Sequence, residues 1–385
     1  MIRTYLDNAA TTPMDKRVAK AMRDFELRYF GNPNSIHREG QEARANIDYA
    51  RADIAKFFSC KPQEIIFTSG ATESNNLAVQ GVVSYYLNQH NMKPHVVTSE
   101  LEHQSVYNVV KGLEANQVIE ASYVKPDRFG KIKAEQFIKE IKDNTVLISA
   151  IFVSNEIGSV LPIRELGRLI QEYNTRVKLK ISFHTDAVQA VKYYNCHVEK
   201  LGVDLLTFSA HKINGPKGIG GLYVKSGTRL GKTTYGGSQE YEIRPGTQNT
   251  PGIIGLAKSV ELLSSLEKRQ TQGEKIRNLK DYLITELKKI STIDFNGSID
   301  NESAPDILNF SVLGADQDTL MTKLDLAGIA ASTGSACVSG STTPSHVINS
   351  LGKITDNPAA TVRISIGKQN TIKEIKKTVD FFKSW

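Results

Sequence analysis

Between about residues 60 and 225 the sequence alternates short β-branched runs with amphipathic stretches, and that rhythm leaves few folds open. EIIFTS precedes NNLAVQGVVSYYL, HVVTS precedes EHQSVYNVVKGLE, VLISAIFVS precedes IRELGRLIQEY, and LKISFHTDA precedes VQAVKYY; VDLLTFSA closes the series. Each apolar run has strand length, and each amphipathic stretch is what a crossover helix requires. Such an alternation predicts an α/β fold, a largely parallel sheet with helices on both faces. Ligands in these sheets sit beyond the carboxyl ends of the strands. The polar residues at those ends are therefore the candidates for function.

After about residue 255 the pattern changes. A long charged helix pattern, AKSVELLSSLEKRQ to TELKKI, leads to strands ILNFSVL and TVRISIG and helices TLMTKLDLAG and IKEIKKTVDFF. This predicts a second, smaller α+β unit, which a chain of 385 residues is long enough to support. The segment 332–345, STGSACVSGSTTPS, is rich in Ser, Thr and Gly and is expected to pack poorly and to move.

Composition excludes several classes. No apolar run approaches the roughly 20 residues that span a bilayer, and the start MIRTYLDNAATTP lacks the apolar region of a signal peptide. A cytoplasmic protein is expected. Cys60, Cys196 and Cys337 are far apart, which fits neither a disulfide framework nor a zinc site. The net charge of +7 comes largely from helix patterns in the C-terminal third. A solvated helix face accounts for it, so no direct contact with nucleic acid is expected.

Taken in order, the strand ends offer a set of polar groups. In EIIFTSGATES, Ala71 and Thr72 stand where free N–H groups and the helix dipole favour a phosphate; an N-cap by Ser69 or Thr72 is the plain alternative. In SELEHQS, His103 is either an exposed first-turn residue or a group that stacks on a flat ring or moves protons. Asn155, in SNEIG, is a turn residue or a hydrogen-bond donor. In FHTDAVQ, Asp186 ends a strand with Gln189 three residues on; it caps the next helix or meets a cation. In SAHK, Ser209 and His211 share a strand face while Lys212 opposes them or turns with the chain. A lysine in a desolvated pocket becomes a nucleophile able to form a Schiff base.

Pyridoxal 5'-phosphate would use the whole set. Lys212 would take its aldehyde and Asp186 would support its protonated pyridine nitrogen. Ala71, Thr72, Ser209 and His211 would hold the phosphate, His103 would lie on the ring face, and Asn155 and Gln189 would sit near the phenolic oxygen.

The stretches YLDNAATTP, FGNPNSIHREG, EIIFTSGATESNNLA, NEIG, HTDAVQ, SAHKINGPKGIGGLYV, RPGTQN, GSAC and VRISIG run from residue 5 to about 367. In that order the chain resembles the group I (NifS/IscS-like) cysteine desulfurases of the class V aminotransferases. The resemblance implies the pyridoxal-phosphate-dependent transferase (aspartate aminotransferase) fold, with a mostly parallel seven-stranded sheet in a large domain, 14–258. A small domain of 1–13 and 259–385 would carry the catalytic cysteine loop. It further implies that Lys212 is the Schiff-base lysine and Cys337 the persulfide-forming thiol. Thr247 would reach the phosphate bound by the other subunit of a homodimer, and Arg363 would hold the substrate carboxylate, a task suited to its fork of donors. Asn34 and His37 are expected near the substrate or in turn and helix-start duties.

The implied activity is conversion of L-cysteine to L-alanine, with sulfur passed through a persulfide on Cys337 to an acceptor protein. Departures are modest: Thr333 precedes GSAC, and GGSQE stands at 236–240 where relatives have GGGHE or GGGQE. The sequence given stops at Trp385, without the longer tail that some relatives use to bind an iron–sulfur scaffold. Iron–sulfur cluster assembly, tRNA thiolation and cofactor sulfuration are therefore equal expectations for the acceptor. The rival within the fold is a selenocysteine lyase or another class V aminotransferase-like enzyme that does without Cys337. GTRLGKTT departs from P-loop spacing and is set aside. No metal site is expected.

Overall fold

The computed structural model describes residues 3–90, 92–333, 345–352 and 359–385. Its centre is a seven-stranded sheet of β1 (Ile65–Thr68), β2 (His95–Ser99), β3 (Glu120–Val124), β4 (Thr145–Ile151), β5 (Ser182–Asp186), β6 (Leu205–Ser209) and β7 (Gly220–Val224). The spatial order is β1-β7-β6-β5-β4-β2-β3. Neighbours from β6 through to β3 run parallel, and β7 alone is antiparallel to both of its partners. From β2 the chain moves outward to β3 and then returns to β4 on the other side. That reversal is a topological switch point, where a doubly wound sheet opens a crevice at its carboxyl ends.

Strand residues divide between two cores as the pleat demands. Ile65 and Phe67, Val97, Ile148 and Leu206 join one hydrophobic cluster, whereas Ile66, Val96, Leu147 and Leu205 join another. The helix Ala71–His90 closes the second cluster with Leu77, Val79 and Val82, and the helix Arg38–Phe58 closes the first with Ile47, Ile54 and Phe58. Burial on both faces explains why β4 and β6 read as continuous apolar runs. The half-buried edge strand β3 is the exception. Two buried histidines bridge strands through hydroxyls: His95 to Thr145 (2.8 Å) and Ser122 (3.1 Å), His184 to Ser149 (2.8 Å) and Thr207 (3.1 Å).

A second sheet, antiparallel, is formed by β8 (Ile293–Asn296), β9 (Ile307–Leu313) and β10 (Ala359–Ser365), in the order β10-β9-β8. Leu6, from the N-terminal segment, packs with Phe310, Val362, Ile375 and Phe382 in its core. Thr4–Tyr5 pairs in parallel with Ile329–Ala330.

Two local expectations differ from the structure. The long charged helix is two helices, Thr250–Leu263 and Leu266–Leu287, broken where Ser264 takes φ 62° and Ser265 caps the second. Serine side chains compete for backbone groups and favour such breaks. VQAVKYY forms only a turn of 3₁₀ helix, Ala190–Lys192, with a short helix Val198–Leu201 beyond it. Residues 183–191 are all buried, so this stretch has no solvent face for an amphipathic helix to present.

Candidate active site

The carboxyl ends of β1, β4, β5 and β6 open into a cavity of about 510 Å³. Ala71, Thr72, His103, Asn155, Asp186, Gln189, Ser209, His211 and Lys212 all line it, so nine residues expected from separate stretches share one site. β6 ends at Ser209, and residues 210–212 turn as a 3₁₀ helix. His211 therefore reaches the cavity from a turn, and the strand alternation expected for the SAHK stretch stops at Ser209. The turn is packed tightly. A Cβ on Gly220, the first residue of β7, would meet Gly70 Cα and Phe208 O at 2.8 Å, so only glycine lets β7 begin this close to β6 and to Gly70.

Lys212 Nζ donates to the carbonyls of Ala9 (2.7 Å) and Ala10 (2.6 Å). Gln189 Nε2 donates to the same Ala9 oxygen (2.9 Å). The N-terminal segment thus closes the lysine side of the cavity. Thr12 adds a backbone and a hydroxyl bond to His211 O (2.9 and 2.8 Å). These carbonyls had no signal in residue chemistry, because any residue type supplies them.

Asp186 is buried at the end of β5. Its Oδ2 accepts from Asn75 Nδ2 (2.8 Å) and its Oδ1 from Val188 N (3.0 Å). Asn75 also donates to Ser105 Oγ (2.8 Å), which lies 2.7 Å from His103 Nδ1. His103 caps the helix Gln104–Ala115, its Nδ1 accepting from Ser105 N (3.1 Å). The proton of the neutral ring accordingly sits on Nε2. Burial pulls the His103 pKa down, with Lys212 and Arg363 adding to the effect and Asp186 opposing it. His211 is held at about 4, by burial first and then by Lys212 and Lys217. Both rings are neutral at pH 7.

Three expected residues lie elsewhere. Arg363, on β10, does not line the cavity: it is buried, and its guanidinium donates to Asn155 O (3.0 Å) and Asp7 Oδ1 (2.7 Å). Asn155 connects it to the cavity wall. Thr247 and Asn34 are exposed and also do not line it. Thr247's segment is nonetheless attached near the cavity mouth, because Arg244 pairs with the lining residue Glu73 at 2.8 Å. His37 caps the helix Arg38–Phe58.

Cys337 lies outside the described residues. The flanking positions are described: Ser332 exchanges backbone bonds with Arg363 (3.2 and 2.6 Å), and Ser345 Oγ donates to Glu156 Oε2 (2.5 Å). Both ends of the segment are thus attached beside Arg363 and the Asn155–Glu156 turn. Cys60 and Cys196 are poor nucleophiles, since burial pushes each thiol up to about 12.

The polar groups left over fit a phosphorylated ring. Ser209 Oγ and Gln189 Oε1 are buried and have no hydrogen-bond partner among the described residues, although both side chains line the cavity. Buried polar atoms of that kind call for a ligand or water. Residues 4–378 match the model of the Aminotransferase class-V family. The "Cysteine desulfurase IscS" of Dictyoglomus turgidum is 41% identical over 377 residues, covering 98% of this chain and 92% of that protein.

The chain belongs to the class-V aminotransferase family, in its cysteine desulfurase group.

A solved structure titled as a NifS-like protein superposes with a TM-score of 0.89 at 32% identity, covering 100% of this chain and 99% of the other. Another, SspA in complex with cysteine, gives 0.78 at 34% identity, with 96% and 100% covered. The fold is therefore the fold-type I architecture of the pyridoxal-phosphate enzymes. Asn75, Ser105 and Glu73 are the members of this cysteine desulfurase site that sequence reasoning missed. Their only signal was position, within the first five residues of the helices that follow β1 and β2.

Proposed function

We propose that this chain is a cysteine desulfurase that binds pyridoxal 5'-phosphate on Lys212 and passes the sulfur of L-cysteine to a thiol at Cys337. The convergence of Lys212, Asp186, His103 and the unpartnered Ser209 hydroxyl on one cavity carries this conclusion. When bound, the protonated pyridine ring withdraws electrons from the substrate's Cα. Lys212 would supply the amine for covalent attachment and, once the amino group of L-cysteine has displaced it, that free amine would move the Cα proton. Asp186, fixed by Asn75 and Val188 N, holds the proton on the pyridine nitrogen. Ala71, Thr72, Ser209 and His211 hold the phosphate, and Asn155 and Gln189 take the phenolic oxygen. Neutral His103 presents its ring to the ring of the cofactor, with a proton available on Nε2. Arg363, tied to the cavity wall through Asn155 O, takes the substrate carboxylate. The large unit, 14–258, carries the cofactor, and the unit of 1–13 with 259–385 carries Cys337.

The exposed side chains of Leu27, Phe30, Ile36, Tyr49 and Tyr235 support a homodimer in which Thr247 reaches the partner's phosphate. The sulfur acceptor is a protein of iron–sulfur assembly or of tRNA thiolation, reached in the cytoplasm. Among the described residues no helix is long and apolar enough to cross a membrane.

The test is single-turnover assay with L-cysteine. The wild type is expected to form alanine and a trapped persulfide in equal amounts. Lys212→Ala is expected to lose both, along with the visible absorbance of the bound cofactor. Cys337→Ser is expected to keep the absorbance and lose sulfur release; undiminished release would overturn the role of the thiol and favour a lyase that does without it.

A further inference from the structure

Lys212 also lines a second cavity, of about 240 Å³, between the N-terminal segment, the break at Ser264 and the Ile366–Gln369 turn. Its charged lining is unbalanced. Lys192 is paired with Asp306, while Asp15 takes Arg17 (2.8 Å) and Lys368 (3.4 Å). Lys212 donates to the Ala9 and Ala10 carbonyls. Lys268 and Arg269 remain, and among the described residues no carboxylate comes within ion-pair distance of either.

Arg269 is the unusual member. It is 6% exposed, its Nη1 donates to Val191 O (2.7 Å), and its guanidinium lies over the Phe57 ring at 4.6 Å. Its Nε has no hydrogen-bond partner among the described residues. A buried guanidinium is costly to desolvate and is normally matched by an anion. Burial accordingly lowers its pKa, and nearby Cys196, itself held neutral, provides no counter-charge at pH 7. Lys268 is exposed at the same cavity, so a mobile cation stands at the opening and a fixed one inside.

We propose that this cavity binds a small oxyanion, held by the fork of Arg269 and neutralised by Lys268. The donor set suits either a tetrahedral oxyanion or a carboxylate, since a guanidinium bonds two oxygens of each. The cavity shares Lys212 with the first one but not the phosphate cup at Thr72 and Ser209, and holding the anion does not use the chemistry proposed there.

The experiment is thermal unfolding of the full chain saturated with pyridoxal phosphate. Inorganic phosphate is titrated in one arm and acetate in the other, each against chloride at matched ionic strength. A saturable rise of about 2 °C near ten times Kd is expected in at least one arm. Saturation by phosphate alone assigns a tetrahedral ligand, and saturation by acetate assigns a carboxylate. Lys268→Ala is expected to raise the half-saturating concentration roughly three- to tenfold, and Arg269→Gln to abolish the effect. A response in neither arm overturns the proposal. So does an unchanged half-saturation in Lys268→Ala, a surface change that tests the site even if Arg269→Gln fails to fold.

Discussion

Glu102, the residue before His103, is fully buried and carries a carboxyl that only partly finds partners. Its Oε1 accepts from Ser99 Oγ and Ile151 N, both at 2.7 Å, while Oε2 has none among the described residues. Burial raises its pKa from 4.5 to about 8, with Asp186 adding to the shift. Glu102 is therefore a neutral acid at pH 7, bonded to the backbone of Ile151 in the cavity wall. The folded state holds a proton that the unfolded chain releases near 4.5, so this stabilisation is complete below that pH and is lost as pH rises through about 8. Wild-type Tm is expected to fall between pH 6 and 9 relative to Glu102→Gln, which keeps the shape without the ionisation. Parallel slopes for the two proteins in thermal scans across that range would refute the assignment. In SELEHQS the histidine was the legible residue. A glutamate in a helix-start turn looks solvent-exposed, and only the packing of β2 and β4 around it makes it an internal acid.

At the scale of an element, the stretch 238–248 shows how a loop is held against its own strain. Glu240, Tyr241 and Glu242 take φ of 47°, 57° and 63° in succession. Non-glycine residues in that region cost about 1 kcal/mol or more each. The compensation is a buried ion pair: Arg51 donates to Glu240 Oε2 (2.7 Å) and Oε1 (2.8 Å), with both side chains nearly inaccessible. Phe67 N on β1 and Gln248 Nε2 complete the carboxylate's bonds (2.9 and 3.0 Å). Glu240→Ala would leave a buried guanidinium unpaired and is expected to cost about 3–5 kcal/mol in urea unfolding. The double change Arg51→Met with Glu240→Met is expected to cost less than that single one; a larger loss would show that the pair contributes more than mutual neutralisation. The sequence showed here only GGSQE in place of a more glycine-rich pattern. The partner of Glu240 stands 189 positions away, a distance no local pattern reports.

At the scale of the molecule, Ile36 is 90% exposed and Phe30 80%, on the segment that leads into the helix Arg38–Phe58. If a second copy covers them, Phe30→Asp with Ile36→Asp is expected to shift sedimentation from twice the chain mass towards the single chain. Activity per chain should fall in parallel, because Thr247 would no longer reach a neighbouring site. A wild-type monomer with full activity would rule this out.

Five strands of the sheet, its crevice and nine of the site's lining residues were legible in the sequence, because burial on both faces writes a strand as an apolar run and its carboxyl end as the first polar residues after it; the half-buried edge strand β3 writes no such run. The identity of Lys212's neighbours was decided only in three dimensions. Backbone carbonyls from Ala9 and Ala10, the chain from Asp186 through Asn75 to His103, and the unbalanced charge of Arg269 arise where distant segments meet. Periodicity records which side of an element faces inward; it carries no record of what stands opposite.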